Sequence, residues 1–418
     1  MREMKDSGIE WVGEIPKVWK LERLQWHLEE VNVSNNPIQT NKVLSLTNKL
    51  GVVPYEEKGN QGNKAKENIY EYKLAFPNTI VANSMNILIG SVGLCNYFGC
   101  VSPVYYIFRA KKNNNIDFLN YVFQTVGFQR ELRKYANGIL EIRLRVSASD
   151  ILKSFIPFPS EIEQQKIAEF LDGECEKIDG LTRDIQAEIE TLEQYKRSVI
   201  TEAVTHGLDP SAPMKDSGID YIDKIKADWK ITKIGYVCQK LIRGFSPDAP
   251  ALICSNNGSV MLRDEERACG KMVSEDNAMQ GIHEGDIAIH GMDTWHGAIG
   301  FSKIKGKITR VVHVCDSTED KRFIVYYLKS LAYQNVYKLI SNGVRGNTSD
   351  FRSWDKVKDI YICLPSAIDE EKAICDYLDN ICECTDKTIA DKKTQIETLD
   401  NYKKSLIYEY VTGKKEVV

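Results

Sequence analysis

The chain lacks any long apolar run. None of its hydrophobic stretches approaches the ~18 residues that a membrane-spanning helix needs, and the opening run MREMKDSGIEWVGE has no apolar core of the kind that a signal peptide carries. Its eleven cysteines are an odd number and do not show the regular spacing of a small disulfide-bonded domain. We therefore expect a cytoplasmic protein with reduced thiols and no association with membranes.

Catalytic signatures are missing as well. The sequence has neither a GxxxxGK[ST] phosphate loop nor a GxSxG nucleophile turn. Residues 35–38, Asn-Asn-Pro-Ile, resemble an adenine-methyltransferase motif but lack its second proline and its aromatic residue, so they predict a turn. Glu370-Glu371-Lys372 resembles the carboxylate-x-lysine end of a nuclease metal site. It falls in a predicted first helical turn, where acidic side chains complement the helix dipole, and it aligns with Gln164-Gln165-Lys166.

Metal-binding spacings are absent too. His283, His290 and His296 match no common zinc pattern, and the cluster of Cys375, Cys382 and Cys384 has no histidine nearby. We interpret the histidines as loop residues and Cys382, which corresponds to Cys175, as a small core residue. The sequence therefore predicts a non-catalytic protein with no metal and no cofactor of its own.

What the chain does have is an internal repeat. MKDSGIE begins at Met4 and MKDSGID at Met214, and both runs lead to a tryptophan-lysine pair. Residues 80–102 align with residues 287–309 at a constant offset of 207, and Gly51 pairs with Gly258. This offset superposes Met85, Gly90, Gly93 and Gly99 on Met292, Gly297, Gly300 and Gly306. Glycines at a common spacing indicate turns shared by two copies of one fold.

Each repeat ends in a long periodic segment without proline. The segments start with Ser160 and Glu163, and with Ser366 and Asp369, which stand where a capping box would begin a helix. Apolar residues then recur at steps of four and three, as in a coiled coil. The predicted seam between the two helices comprises Leu171, Ile178, Ile185, Ile189, Leu192, Val199, Leu378, Ile389, Ile396, Leu399 and Leu406. Each helix would run about 45 residues, or roughly 67 Å, and the two should pack on each other.

Short mixed elements fill the rest of each repeat. VLSLTN, TIVANSMNILIG and PVYYIF read as strands and FLNYVFQTVGFQRELRKYA as a helix, and DIAIHG, RVVHVC and RFIVYYLKSLAYQNVYKLI follow in the same order in the second repeat. The predicted fold class is α+β. Two homologous globular domains are separated by two long antiparallel helices that form a coiled coil, with a pseudo-twofold tandem duplication.

The net charge of −4 hides a segregation of charge. Residues 100–158 have nine Lys/Arg against four Asp/Glu, and residues 301–365 have twelve against six. The helical segments 159–206 and 366–418 are acidic, with five basic against twelve acidic residues and eight against twelve. Basic stretches that include aromatic and amide side chains suit a phosphate backbone and base edges. A solvated basic face is the alternative interpretation.

At this point the motifs resemble a known family. MKDSGIEWVGEIPKVWK, FIPFPSEIEQQKIAEFLD and YKRSVITEAVTHG, with their second-repeat counterparts ICLPSAIDEEKAICDYLD and YKKSLIYEYVTGK, look like the specificity (S) subunit of type I restriction-modification systems. The resemblance covers essentially the whole chain. The second repeat departs from it at Tyr221 and Lys226, which replace the tryptophan and proline of the first.

The resemblance implies a domain order. The first target-recognition domain spans 1–158, with an N-terminal stub at 4–20, and the first conserved long helix spans 159–207. A linker and repeat stub occupy 208–229, the second target-recognition domain 230–365 and the second conserved long helix 366–413. Each recognition domain would read one half of a bipartite, asymmetric site in double-stranded DNA. The helix pair would set the spacer, with half-site centres at most about twenty base pairs apart.

The resemblance also implies partners. The helices would dock two methyltransferase subunits, with restriction (translocase/endonuclease) subunits as further partners. S-adenosylmethionine, ATP and Mg are expected on those subunits and none of them in this chain.

Within the recognition domains, arginine can bind guanine in a bidentate way and asparagine can pair with adenine. The predicted base contacts are Arg143, Arg145, Arg345, Asn347 and Arg352, which follow Asn137-Gly138 and Asn342-Gly343. The predicted phosphate contacts are Lys111, Lys112, Lys303, Lys305, Lys307 and Arg310. A plain surface charge is the alternative for each of them.

Two other classes of function are compatible with parts of the sequence. A chain that itself cuts or methylates DNA would use the Glu370-x-Lys372 resemblance. A purely structural coiled-coil scaffold would use only the helices and would not bind DNA.

Overall fold

The structure is a computed structural model that describes residues 2–47, 51–59, 68–112, 114–136, 144–263, 278–341 and 351–417. The chain forms two compact units. The first unit combines residues 1–185 with residues 393–418, and the second unit consists of residues 186–392. None of the helices in the described residues is both long and apolar enough to cross a lipid bilayer.

The first unit contains short strands and short helices followed by one very long helix. Its strands are β1 (Met4–Asp6), β2 (Glu14–Pro16), β3 (Lys20–Arg23), β4 (Leu28–Glu30), β5 (Leu44–Thr47), β6 (Gly51–Pro54), β7 (Lys73–Ala75), β8 (Thr79–Asn83), β9 (Val92–Cys95), β10 (Gly99–Val101), β11 (Tyr105–Ala110) and β12 (Phe155–Phe158). Its helices are α1 (Ile116–Gln124), α2 (Val126–Leu132), α3 (Ala148–Lys153) and the first part of α4 (Glu161–His206).

The second unit repeats this order. Its strands are β13 (Met214–Ile219), β14 (Ile222–Lys226), β15 (Lys230–Lys233), β16 (Cys238–Leu241), β17 (Leu252–Cys254), β18 (Val260–Leu262), β19 (Met279–Ile282), β20 (Ile287–His290), β21 (Ile299–Phe301), β22 (Gly306–Thr309), β23 (Val312–Ser317) and β24 (Tyr361–Leu364). Its helices are α5 (Ile234–Val237), α6 (Lys321–Tyr333), α7 (Val336–Leu339), α8 (Trp354–Lys358) and the first part of α9 (Ile368–Val411).

The same antiparallel sheet lies at the centre of both units. Its strand order is β4-β11-β8-β9 in the first unit and β16-β23-β20-β21 in the second. In each unit a short two-stranded pair, β3 with β12 or β15 with β24, leads directly into a long helix. The matching order shows that the repeat in the sequence is a repeat of one fold.

A pair of glycine-containing segments packs backbone against backbone in both units. In the second unit, a Cβ atom added at Gly300 would lie 1.8 Å from the Gly258 carbonyl oxygen, and one added at Gly258 would lie 2.0 Å from the Ile299 oxygen. In the first unit, a Cβ at Gly93 would lie 3.1 Å from Gly51 Cα. These are the glycines that the sequence alignment paired, and close backbone approach explains why both copies have them.

The long helices are antiparallel within each unit. In the first unit the Phe170 and Tyr410 rings are 4.5 Å apart, and Lys403 binds Asp179 with an Nζ to Oδ1 distance of 2.7 Å. In the second unit Lys392 pairs with Glu188 and Lys196 with Asp386. Ile167, Leu171, Leu406 and Val411 belong to the same hydrophobic core as the strands and helices of the first domain. The helix ends are therefore part of the domain core.

Two local predictions need correction. The single helix expected from Phe118 onwards is divided into α1 and α2, because Thr125 is extended and its hydroxyl accepts a hydrogen bond from Phe128 N. Neither of the two expected capping boxes forms, because Glu163 of the first and Ser366 of the second bind other partners. Glu163 instead accepts the indole N–H of Trp19, and the Ser366 hydroxyl donates to the Asp228 carbonyl. The buried indole N–H of Trp19 needs an acceptor and finds it in Glu163 Oε2, while Oε1 of the same carboxylate pairs with Arg2.

Candidate nucleic-acid interface

A tight turn follows the second-longest strand of the central sheet in the first unit. We call residues 84–90 the first tip turn. Asn86 N donates to Asn83 O, Gly90 N donates to Ile87 O, and Gly90 ends the turn with a φ of 84°. Just beyond the undescribed segment 137–143, Val146 N donates to Ser84 O at 3.3 Å. This bond places Arg145 at the turn, where its Nη2 lies 3.7 Å from Met85 Sδ.

The second unit forms the same arrangement. We call residues 291–297 the second tip turn, and it ends at Gly297 with a φ of 88°. Phe351 N donates to Gly291 O at 3.0 Å, just beyond the undescribed segment 342–350. Arg352 therefore lies next to the second turn, one residue after the bonded Phe351, whereas Arg145 comes one residue before the bonded Val146. The buried His313 fixes this connection, because its Nε2–H donates to Phe351 O at 2.7 Å. Burial lowers the pKa of His313, which favours the neutral imidazole.

Aromatic and charged side chains cover the second tip turn. Asp293 lies between two histidines, with an Oδ2 to His290 Nδ1 distance of 3.1 Å and an Oδ1 to His296 Nδ1 distance of 3.9 Å. The Trp295 and His296 rings are 3.9 Å apart, and Lys338 Nζ lies 4.6 Å from the Trp295 ring. Among the described residues, no group of three or more His, Cys, Asp or Glu side chains is arranged to hold a metal ion.

The structure brings only some of the predicted DNA contacts together. Arg145, Arg310 and Arg352 lie at the tip-turn end of their sheets. Arg310 lies there because the next residue, Val311, accepts a hydrogen bond from Gly291 N of the second tip turn. Lys111 and Lys112 lie at the opposite end, because Arg109 of β11 pairs with Thr79 at the start of β8. Lys303 and Lys305 also lie at the far end, next to the start of β20. Arg143, Arg345 and Asn347 lie outside the described residues.

Several of these cations already have protein partners. Lys111 Nζ donates to Gln25 O at 2.6 Å, Lys307 Nζ to Pro247 O at 2.9 Å, and Arg310 Nε to Met279 O at 3.1 Å. Lys112, Lys303, Lys305, Arg145 and Arg352 are exposed. The exposed arginines at the tip turns are consequently better placed for a ligand than the lysines that bind carbonyl groups.

Sequence reasoning did not identify Lys338 or the side chains of the tip turns as site residues. The available signal was the alignment of residues 80–102 with residues 287–309 at a constant offset. It indicates one backbone conformation in both segments and shows which side chains differ between them. Lys338 gave no such signal. It reaches Trp295 only because α7 packs against the turn.

Each of the predicted seam residues is either buried or half-buried in its long helix. Leu171, Ile178, Ile189, Leu378, Ile389 and Leu406 are buried. Ile185, Leu192, Val199, Ile396 and Leu399 are half-buried.

Two hydrogen bonds attach each domain to its long helix. The Tyr121 hydroxyl donates to Asp172 Oδ1 at 2.6 Å, and the Tyr326 hydroxyl donates to Asp379 Oδ1 at the same distance. Burial raises the pKa of both tyrosines, so both remain protonated donors. Trp19 Nε1 donates to Glu163, and in the second unit Trp229 Nε1 donates to Glu370. The repeated bonds fix each domain on its helix in the same way.

These bonds correct the alignment at the helix starts. Glu370 corresponds to Glu163, and its carboxylate binds Lys226 Nζ at 2.8 Å in addition to the tryptophan. The pairing of Glu370-Glu371-Lys372 with Gln164-Gln165-Lys166 was therefore wrong by one residue. The carboxylate that resembled a nuclease residue belongs to the attachment of the second domain.

Glu371 accordingly corresponds to Gln164. Gln164 Oε1 accepts from Asn115 N at 3.0 Å and its Nε2 donates to Pro159 O at 3.1 Å. Glu371 is 1% exposed and its Oε2 accepts from Asp320 N at 2.9 Å. Burial, followed by the nearby Glu319 and Asp320, raises the pKa of Glu371 to about 7. The second unit therefore has a titratable carboxyl group where the first unit has an amide.

The chain matches solved structures of known proteins over nearly its full length. No family model matches the sequence. One chain of a solved structure superposes on this chain with a TM-score of 0.68. That structure concerns the structural basis underlying complex assembly and conformational transition of the type I R-M system. The matched chain is 12% identical, and the match covers 96% of this chain and 99% of that one. The fold is therefore that of a type I restriction-modification chain, which confirms the predicted α+β architecture.

Two further solved structures match less closely. The HsdS subunit from Thermoanaerobacter tengcongensis has a TM-score of 0.47 at 14% identity, with 96% of this chain and 98% of that chain covered. The type I restriction-modification S subunit from M. genitalium has a TM-score of 0.39 at 14% identity, with 94% and 96% covered.

Proposed function

We propose that this chain is the sequence-specific DNA-binding subunit of a type I restriction-modification complex. The observation that supports the proposal most strongly is the duplicated tip turn, which has one backbone and different exposed side chains in the two units. A protein that reads two unlike half-sites needs one scaffold and two sets of reading side chains. The fold match over 96% of the chain supports the same conclusion.

Each recognition domain reads one half of a bipartite, asymmetric site in double-stranded DNA. The first domain is assigned to residues 1–158 and the second to 230–365. The exposed Arg145 and Arg352 supply contacts at the tip-turn ends of the two sheets, where bidentate contact with guanine is available to arginine. The basic charge of segments 100–158 and 301–365 adds attraction to phosphates.

The long helices connect the two domains and dock two methyltransferase subunits, with restriction subunits as further partners. Their segments are acidic in net charge, unlike the recognition segments. The chain itself is non-catalytic and acts in the cytoplasm. S-adenosylmethionine, ATP and Mg belong to the partner subunits, which perform the chemistry.

Methylation mapping of the host genome tests the proposal. With the chain and its methyltransferase subunits present, we expect methylated bases in one split motif, and deletion of this gene should abolish that motif. Expression of the intact gene from a plasmid should restore it. Loss of no motif in the deletion strain would contradict the proposal, and turnover by the purified chain alone would favour the catalytic alternative.

Lengthening the paired helices should lengthen the spacer of the site. One heptad would be inserted into α4 within residues 188–195 and one into the facing part of α9 within residues 386–392, because Glu188 pairs with Lys392 and Lys196 with Asp386. Seven helical residues add about 10 Å, or roughly three base pairs. Methylation mapping should show both half-sites unchanged and farther apart. A spacer of the original length would show that the helices do not determine it.

A further inference from the structure

The two tip turns share one backbone. In the first, Asn86 N, Ile89 N and Gly90 N donate to the carbonyl oxygens of residues 83, 86 and 87, with distances of 3.1 Å. In the second, Asp293 N, His296 N and Gly297 N donate to those of residues 290, 293 and 294, with distances of 3.2, 3.0 and 2.9 Å. Each turn closes with a further bond to residue 86 or 293.

The side chains at the ends of these turns differ. Ile89 is 66% exposed in the first unit, and the side chain of the corresponding His296 is 41% exposed in the second. Asn86, which is exposed, corresponds to Asp293. The buried positions stay buried although their residues also change, as Ile87 and Thr294 show. The two copies therefore keep one backbone and present different side chains at its exposed positions.

Neighbouring elements hold both turns rigidly. Gln129 lies against the first turn, with its Nε2 3.2 Å from the position of a Cβ on Gly90, and this amide also donates to Phe123 O at 3.1 Å. Trp295 is held between His296 and Lys338 in the second turn. A rigid support lowers the entropy cost of presenting a side chain to a ligand. The adjacent Arg145 and Arg352 provide positive charge.

We propose that Ile89 and His296 are sequence-reading residues, one for each half-site. This inference rests on the proposed function and adds the residues that distinguish the two halves. Ile89 offers only apolar contact, which suits the methyl group of thymine in the major groove. His296 offers a ring N–H to the N7 or O6 acceptors of a purine, and the Trp295 ring, whose centroid lies 3.9 Å from that of His296, restricts its orientation. The same backbone thus supports two different base preferences.

Two single-substitution variants test the inference, and each places the side chain of one tip turn at the corresponding position of the other. In the complex with its methyltransferase subunits, His296→Ile should change the base preference of one half-site by about tenfold at one or two positions and leave the other half-site unchanged. Ile89→His should have the converse effect. Methylation mapping and competition binding with single-base variants of the site measure both. His283→Ile is the matched control, because His283 lies at the opposite end of β20 and should alter neither half-site.

Thermal unfolding of each variant separates reading from folding. Unchanged base preference in both folded exchange variants would overturn the inference, and so would a uniform loss of affinity for every sequence, which indicates a phosphate contact. His296→Gln retains a hydrogen-bond donor and provides the second variant if His296→Ile fails to fold. Absence of any split motif with the unaltered chain would instead remove the proposed function.

Discussion

Replacing Gly300 by alanine is expected to destabilise the second unit by about 3 kcal/mol or more. The new Cβ would lie 1.8 Å from the Gly258 carbonyl oxygen, and the backbone on both sides would have to move. Ala298 and Ile299 next to it are fully buried, so the displaced segment has no free space. Denaturant unfolding followed by circular dichroism should show an earlier transition for this unit.

Gly173→Ala provides the control for the chemical change itself. Gly173 lies inside α4, and a Cβ there would meet no atom within 4 Å. The same substitution should therefore stabilise the helix by up to about 1 kcal/mol, since alanine is the better helix former. A Gly300→Ala variant as stable as the unaltered chain would show that the two backbones do not approach as closely as described.

Glu371→Gln is expected to stabilise the second unit above neutral pH by up to about 3 kcal/mol. The carboxyl group of Glu371 is buried and its pKa is raised from 4.5 to about 7. The folded state therefore keeps this proton at pH values where the unfolded chain has released it. The unfolding free energy falls as pH rises from about 4.5 to about 7, and the penalty is complete above that range. Glutamine removes this dependence.

The first unit supplies the reciprocal variant. Gln164→Glu should introduce a similar penalty at pH 8 and a much smaller one at pH 4.5, because Gln164 is fully buried. Thermal melting of both variants across pH 4.5 to 8 provides the measurement. If Glu371→Gln gave the same gain at both ends of this range, its benefit would come from packing and not from proton release.

Local patterns predicted much of the fold. The heptad spacing and the absence of proline predicted α4 and α9, because helix formation over more than 40 residues depends on short-range contacts. The repeated glycines predicted shared turns, and Gly90 and Gly297 do end equivalent turns with positive φ. Thr125 was missed as a helix boundary, since threonine inside a periodic run gives only a weak signal.

Long-range pairings could not be predicted in the same way. The bond between Trp19 and Glu163 joins residues 144 apart, and the anchoring of Phe351 by His313 depends on a strand pairing with no local signature. The prediction of Lys111 and Lys303 as phosphate contacts rests on charge alone. Charge in the sequence does not indicate which end of a sheet a residue occupies, and the structure places both away from the tip turns.

The two units differ in when all of their residues have been synthesised by the ribosome. The second unit is one continuous segment, whereas the core of the first includes Leu406, Ile407 and Val411 from the end of the chain. At about 5–20 residues per second, residues up to 185 would wait roughly 10 to 40 seconds for residues 393–417. During that interval the apolar faces around Ile167 and Leu171 have no native cover. The second unit can complete its fold first, and the first unit depends on its last segment arriving.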